Sequence, residues 1–191
     1  MAAFHTLKIN SIKTLTNEAS SIGFEIPSSL QDLFQYRSGQ YINLKASIEG
    51  EEVRRSYSLC SAPSEGTLEV GIKRIPKGLF STYATQGLQV GDSLEVSEPE
   101  GRFVYNTEAK NVTAFAAGSG ITPMMSIIKT HLLSEPNSTF KLFYLNRTVK
   151  SIIFKEEIEQ LRNQYFGRLE VFYFLTKESR DSELFNGRFT K

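Results

Sequence analysis

The chain has 191 residues, 40% of them hydrophobic, which is enough for one large domain or two small ones. Its 22 basic and 21 acidic residues nearly cancel, and this balance argues against a nucleic-acid or membrane-surface binder. Because Cys60 is the single cysteine, these residues hold no internal disulfide and no cysteine-ligated iron–sulfur cluster. No signal peptide is visible, and no apolar run approaches the roughly 20 residues that cross a bilayer. We therefore expect a cytoplasmic protein.

The first hundred residues have the spacing of an all-β domain. Segments that alternate apolar and polar residues run over 41–45, 67–72 and 93–96, with Gly, Pro, Ser and Asp between them. These strands and turns predict an antiparallel barrel or sandwich. From Gly78 to Thr85 the apolar residues recur four apart, which predicts one short helix inserted among the strands.

A cation, an aromatic ring and a hydroxyl lie within four residues at positions 55–58, Arg-Ser-Tyr-Ser. Since side chains alternate along a strand, Arg55 and Tyr57 share one face while Ser56 and Ser58 share the other. Such a strand could bind a cofactor that carries both a pyrophosphate and a planar ring. Taken alone, the four residues fit an ordinary surface strand more simply.

After residue 108 the pattern changes to that of an α/β domain. The order of predicted elements is β-α-β-α-β, which is typical of a parallel sheet covered by helices. The first strand is a continuous apolar run, as in a buried parallel strand. The boundary falls between Thr107 and Asn111 and divides the chain into domains 1–108 and 109–191. The predicted elements are a strand at 112–117, a helix at 123–133, a strand at 140–145, a helix at 152–165 and a strand at 169–175.

Two glycine-containing turns are candidate phosphate sites. The segment 117–123, Ala-Gly-Ser-Gly-Ile-Thr-Pro, joins a strand to a helix, where free N–H groups and the helix dipole favour an anion. The alternative is an ordinary tight strand–helix turn. In the segment 78–82, Gly-Leu-Phe-Ser-Thr, either Ser81 or Thr82 could cap the short helix or bind a second phosphate.

In order and spacing, these three segments resemble motifs of the ferredoxin–NADP⁺ reductase superfamily. Further matches are 39–41 (Gly-Gln-Tyr), 99–103 (Pro-Glu-Gly-Arg-Phe) and 146–148 (Asn-Arg-Thr). The chain is most similar to reductase subunits of multicomponent oxygenases of the phenylacetyl-CoA epoxidase reductase type, which share a late pattern seen here at 181–188. The resemblance implies an antiparallel β-barrel FAD-binding domain followed by an α/β parallel-sheet NAD(P)-binding domain.

The resemblance also implies roles for individual residues at the flavin. Arg55 would pair with the FAD pyrophosphate, Tyr57 would lie against the isoalloxazine ring, and Ser58 would hydrogen-bond near flavin N5. Phe103 would either flank the flavin or belong to the core at the domain junction. Other FAD contacts are implied for Ile72, Lys73, Gly78, Ser81 and Thr82.

At the second cofactor, the resemblance implies a dinucleotide site lined by Gly118, Gly120, Thr122 and Pro123. Thr122 would lie near the nicotinamide, so the implied catalytic set is Tyr57, Ser58 and Thr122. Other contacts are expected from Asn146, Arg147, Thr176, Lys177 and Arg188. Where relatives that use NADP carry Ser-Arg-Glu, this chain carries Thr176-Lys177-Glu178, so we expect NADPH rather than NADH.

The implied function is an FAD-dependent oxidoreductase that takes hydride from NADPH and passes electrons singly to a [2Fe–2S] ferredoxin domain or protein serving an oxygenase. The alternatives are a stand-alone ferredoxin or flavodoxin reductase and a non-catalytic flavin-binding regulatory module. Since residues 182–191 look like the start of a further helix and strand, we expect an incomplete nucleotide domain. The cluster would then lie in a C-terminal domain outside this chain. Ser38 replaces the family's usual proline, which we expect to loosen a turn.

Overall fold

The computed structural model describes residues 3–105, 110–179 and 185–187. Six antiparallel strands and one helix make up the first half of the chain. The strands are β1 (Phe4–Thr16), β2 (Ala19–Glu25), β3 (Tyr41–Ile48), β4 (Glu51–Ser58), β5 (Leu68–Lys73) and β6 (Ser93–Ser97), and the helix is α1 (Leu79–Gln86). Their order across the sheet is β4-β3-β6-β1-β2-β5, so β4 and β5 form its two edges.

The sheet curls until these two edges meet, which confirms the predicted antiparallel barrel. Leu59, directly after β4, pairs with Val70 of β5, and the Cys60 N–H donates to the Glu69 carbonyl at 2.8 Å. Alternate residues point inward and are buried in one apolar core, as the alternation of the sequence predicts. Helix α1 adds Phe80 and Ala84 to this core.

The second half has three parallel strands in the order β7-β8-β9, which confirms the predicted alternation of strands and helices. Its elements are β7 (Asn111–Ala117), α2 (Ile121–Ser134), β8 (Thr139–Asn146), α3 (Lys155–Gln164) and β9 (Leu169–Leu175). Both helices share a core with the buried face of β8, formed by Phe140, Leu142 and Tyr144. Among the described residues, no helix is long and apolar enough to cross a membrane.

The prediction that the 112–117 strand is buried is wrong for much of β7. Phe115 is 64% exposed, and Ala116 is the one residue of this strand that is buried. The register places Phe115 beside Phe143 and Phe143 beside Phe172, and adjacent rings stack with centroids 5.0 Å apart. These rings lie on the face opposite α2 and α3, which explains their exposure.

The two halves are packed against each other. Ala19 of β2 and Cys60, both from the barrel, are buried in the core of the second half. Burial raises the pKa of the Cys60 thiol well above its ordinary value, as expected for a small packing residue rather than a reactive thiolate. Polar contacts cross the same junction, including a hydrogen bond between the Ser38 and Thr130 hydroxyls. Ser38 therefore contributes a contact between the two halves, and its effect on the turn stays a prediction.

Candidate functional site

Strand β4 places Arg55 and Tyr57 on one face, as predicted, because they pair with Leu44 and Ile42 of β3. The Tyr57 ring is partly buried and packs on Phe80 of α1, with centroids 5.8 Å apart and planes 33° apart. The Arg55 guanidinium is exposed and donates to the Arg54 carbonyl at 2.7 Å. Among the described residues, no carboxylate forms an ion pair with Arg55. Its charge is therefore available to an anion.

The environment of Tyr57 suits a neutral aromatic contact. Burial raises the pKa of the Tyr57 hydroxyl to about 12, and the nearby positive charge of Arg55 opposes this rise only in part. At neutral pH the hydroxyl keeps its proton, so Tyr57 offers a ring face and a hydrogen-bond donor rather than a base. Ser58 follows it at the end of β4, half-buried and opposite Tyr41.

The turn before α1 is built around Gly78 and Ser81. A Cβ atom at Gly78 would lie 2.4 Å from Cγ1 of Ile75 and 2.5 Å from Oγ of Ser81, so a side chain there would have to displace one of these two neighbours. The Ser81 hydroxyl donates to the Gly78 carbonyl and accepts from the Ile75 N–H, both at 3.2 Å. Ser81 thus shapes the turn, while the N–H groups at the start of α1 are left for an anion. Direct phosphate binding by Ser81 or Thr82 stays a prediction.

The other predicted FAD contacts on β5 have distinct surroundings. The Ile72 side chain is buried in the barrel core, which leaves its backbone for a ligand. Lys73 is half-buried and lies 3.9 Å from a carboxylate oxygen of Glu18. Phe103 is 61% exposed, so its assignment to the core of the junction is wrong, and its assignment to the flank of the flavin stays a prediction.

Sequence reasoning missed a polar network, centred on the buried Asn43, that connects β4 to the neighbouring strand. Asn43 of β3 accepts a hydrogen bond from the Ser56 hydroxyl at 2.7 Å, and its side-chain amide donates to the Glu100 carboxylate. Its backbone N–H donates to the Ser97 hydroxyl at 2.9 Å. Tyr41 and Glu100 exchange two backbone hydrogen bonds at 2.9 Å. The signal was the pair of resembling segments 39–41 and 99–103, which the fold brings into contact.

The predicted dinucleotide residues converge at the carboxyl edge of the parallel sheet. Since β7, β8 and β9 end in register, the turn 118–120 lies beside Asn146-Arg147 and Thr176-Lys177. The Thr176 N–H donates to the Asn146 carbonyl at 3.0 Å, and the Lys177 N–H donates to the Arg147 carbonyl at 2.8 Å. This edge is where open α/β sheets bind ligands. The predicted contact at Arg188 lies outside the described residues.

Three features of this edge are consistent with a dinucleotide site. A Cβ atom at Gly118 or Gly120 would meet nothing within 4 Å. Both glycines therefore border open space, through which a ligand could approach the backbone. Gly118 also has a φ of +51°, and its carbonyl accepts a hydrogen bond from Tyr144 at 2.9 Å. The side-chain amide of Asn146 is buried and has no hydrogen-bond partner among the described residues, so it can still take a polar one.

Thr122 joins this edge to the barrel. Its side chain is buried, and its hydroxyl donates to the Ser119 carbonyl at 2.9 Å, which fixes the turn before α2. The same side chain lies against Gly71 of β5. The predicted flavin and nicotinamide residues therefore open onto one junction.

The comparisons with known proteins agree with this geometry. Residues 6–105 match the oxidoreductase FAD-binding domain family, and residues 115–191 match the oxidoreductase NAD-binding domain family. The chain belongs to the ferredoxin–NADP⁺ reductase superfamily. Its two halves are thus FAD-binding and NAD-binding domains, which confirms the predicted fold and cofactor classes. The boundary at residues 108 and 109 falls between the matched segments and stays a prediction.

The chain spans about half the length of two curated relatives that it matches. The chain is 41% identical to one of the subunits of 1,2-phenylacetyl-CoA epoxidase from Escherichia coli, over 98% of the chain and 54% of that protein. It is 36% identical to the ferredoxin reductase component of 3-ketosteroid-9-alpha-monooxygenase from Rhodococcus rhodochrous, over 88% of the chain and 48% of that protein.

Two solved structures share the fold of the whole chain. The CS-b5R domains of human Ncb5or superpose with a TM-score of 0.84 at 28% identity, covering 100% of this chain and 56% of that one. The FAD/NAD-binding domain of the Vibrio cholerae nitric oxide dioxygenase superposes with a TM-score of 0.82 at 26% identity, covering 100% and 81%.

Proposed function

We propose that this chain forms the FAD- and dinucleotide-binding part of a reductase that takes hydride from NADPH and passes electrons singly to a [2Fe–2S] ferredoxin domain or protein serving an oxygenase. The supporting observation is that the predicted half-sites meet. Thr122, at the end of the glycine turn, contacts β5, and β5 closes the barrel beside the end of β4. A planar ring held by β4 and a second ring held by the 118–123 turn would face each other there.

The roles of the flavin residues follow from their environments. Arg55 and the N–H groups at the start of α1 would hold the pyrophosphate, since both supply positive charge that no described carboxylate neutralises. Tyr57 would cover one face of the ring, fixed in position by Phe80. Ser58 would place a hydroxyl near the reacting edge. When bound, FAD accepts two electrons and one proton as hydride and releases electrons one at a time.

We propose NADPH rather than NADH as the hydride donor. Arg147 and Lys177 are exposed neighbours at the carboxyl edge, and Thr176 adds a hydroxyl beside them. Two cations and a hydroxyl suit a 2′-phosphate better than a neutral ribose, although lysine lacks the bidentate fork of arginine. Arg147→Ala should therefore raise the half-saturating concentration of NADPH more than that of NADH.

The proposed partners follow from the relatives. One is a subunit of an epoxidase and another is the ferredoxin reductase component of a monooxygenase, so an oxygenase such as phenylacetyl-CoA epoxidase is the proposed destination of the electrons. We propose a cytoplasmic location. A reducing compartment suits Cys60, which is buried as a free thiol.

The full-length protein, purified and reconstituted with FAD, tests the proposal directly. We expect a flavin spectrum, anaerobic bleaching by NADPH, and turnover with ferricyanide as the acceptor. Failure to bind FAD, or FAD that NADPH cannot bleach, would refute the proposed function.

The matched pair Arg55→Ala and Arg54→Ala tests the assignment of the pyrophosphate site. Arg54 is the neighbouring exposed arginine, but its guanidinium lies 3.9 Å from Glu100 and stacks over the Phe4 ring. Losing a charge-assisted contact should weaken FAD binding about 10- to 100-fold in Arg55→Ala, whereas Arg54→Ala should change it by less than about 3-fold. Equal losses in both variants would contradict the role of Arg55.

A further inference from the structure

Gly71 lies where three parts of the proposed site meet. It is a buried residue of β5 and pairs with Ser21 of β2. The barrel closes through the antiparallel pair Leu59 and Val70. In such a pair the residue before Leu59 faces the residue after Val70, so this register places Ser58 across the closure from Gly71.

On its other side, Gly71 faces residues of the nucleotide domain. A Cβ atom at this position would lie 3.1 Å from Oγ1 of Thr122, 3.2 Å from Cγ2 of Thr122 and 3.1 Å from Cζ of Phe154. These separations are shorter than ordinary van der Waals contacts. Because residue 71 has no side chain, the start of α2 can approach the barrel more closely than any other residue would allow.

Neither neighbour of Gly71 is free to give way. Phe154 directly precedes α3 with a φ of 60° and a ψ of 23°, a left-handed conformation that bulky residues seldom adopt, and its ring is buried. Thr122 is held by its hydrogen bond to the Ser119 carbonyl. A side chain at position 71 would therefore displace the turn that carries Thr122 and not merely rotate a flexible group.

We propose that Gly71 is a positioning residue that sets how closely the nicotinamide turn approaches the flavin strand. This inference rests on the proposed function, in which hydride passes between rings held by these two elements. Gly71 touches neither cofactor in this proposal; it acts through Thr122 and Phe154. The bare backbone at Gly71 lets the two half-sites come within reach of each other.

Gly71→Ala tests the inference in the FAD-loaded protein. The turn should move by a few tenths of an ångström, and the limiting rate of flavin bleaching at saturating NADPH should fall about 3- to 10-fold, since rates depend steeply on such displacements. FAD affinity and half-saturating NADPH should change by less than about 2-fold, because neither pocket is altered. A crystal structure of the FAD-free variant should show a larger distance between Thr122 and Ser58.

Two further variants separate positioning from general destabilisation. Gly87→Ala is the matched control, since its Cβ would lie 3.0 Å from the Tyr83 carbonyl oxygen, away from the junction. It should leave the limiting rate unchanged even if it lowers the unfolding temperature. Adding Phe154→Leu to Gly71→Ala removes one of the close contacts and should restore part of the rate.

The outcomes distinguish this inference from the proposed function. If the unmodified protein is not bleached by NADPH, the proposed function fails. If it is bleached and Gly71→Ala matches it, or if Gly71→Ala loses FAD instead, the positioning role is overturned while the proposed function stands. Should Gly71→Ala not fold, the double variant Gly71→Ala/Phe154→Leu takes its place: its limiting rate should fall at unchanged FAD affinity, because the contact with Thr122 remains, and an unchanged rate would overturn the inference.

Discussion

Glu65→Gln should destabilise the contact between the two domains. Lys129 of α2 has a side chain only 12% exposed, and its ammonium lies 2.5 Å from Glu157 of α3 and 3.3 Å from Glu65 of the barrel domain. Burial lowers the pKa of Lys129, but the two carboxylates outweigh this effect and raise it overall. Neutralising Glu65 leaves the ammonium partly buried with a single counter-charge.

The size of the effect lies between two limits. Exposed ion pairs contribute about 0–1 kcal/mol, whereas breaking a buried pair costs about 3–5 kcal/mol. With Lys129 largely buried and both carboxylates partly exposed, we expect about 1–2 kcal/mol, or about 2–8 °C in unfolding temperature for a chain of this size. Glutamine keeps a side-chain oxygen that can accept the hydrogen bond from the Ala62 N–H, which Glu65 accepts at 2.6 Å, so the substitution mainly removes the charge.

Thermal unfolding of four proteins measures this contribution: the unmodified chain, Glu65→Gln, Lys129→Met and the double variant. Since the pair is in direct contact, the double variant should lose less stability than the sum of the two single losses. Glu49→Gln is the control, because Glu49 is exposed and forms no ion pair with the described residues. A Glu65→Gln variant as stable as this control, or additive losses in the cycle, would refute the reasoning.

Three other predictions concern single side chains. Tyr57→Ala should weaken FAD binding about 3- to 10-fold through loss of the ring, while Tyr57→Phe should stay within about 2-fold, as flavin fluorescence titration can show. Burial lowers the pKa of His131, so below about pH 6.5 the unfolded state binds a proton more readily than the folded state. Stability to denaturant should therefore fall as the pH drops below about 6.5. Burial raises the pKa of Tyr57 to about 12, so the unfolded state loses this proton first, and unfolding temperatures should fall as pH rises from about 10 to 12.

The elements that the sequence predicted are those whose apolar residues recur at a regular spacing. The β5, β6 and β9 strands lie within one residue of the predicted bounds, because their alternating or continuous apolar residues form one face of the core. Helix α1 was predicted from apolar residues four apart, and Phe80 and Ala84 are indeed its buried side. The glycine turns were predicted from their residue types, and the open space at Gly118 and Gly120 agrees with that prediction.

Strands β1 and β2 were not located, and the reason lies in β1. Its register with β2 shifts between Ile9 and Ser11 and again between Thr14 and Thr16, so the alternation is interrupted twice within one strand. The surroundings of His131 could not be predicted either. His131 is fully buried, donates to the Thr139 carbonyl at 3.1 Å and hydrogen-bonds the Tyr105 hydroxyl. Partners that are distant in sequence leave no local signal.

The relative placement of the two half-sites depends on residues outside every motif. Arg55, Tyr57 and the 118–123 turn can be assigned from local patterns, because each pattern carries its own chemistry. Their separation depends instead on Gly71 against Thr122, on Lys129 with Glu65, and on Ser38 with Thr130. Each of these pairs joins residues from different domains, and each residue type is ordinary in its own segment. Hydride transfer requires two rings in contact, so substitutions at such pairs should change the transfer rate while leaving each cofactor's binding intact.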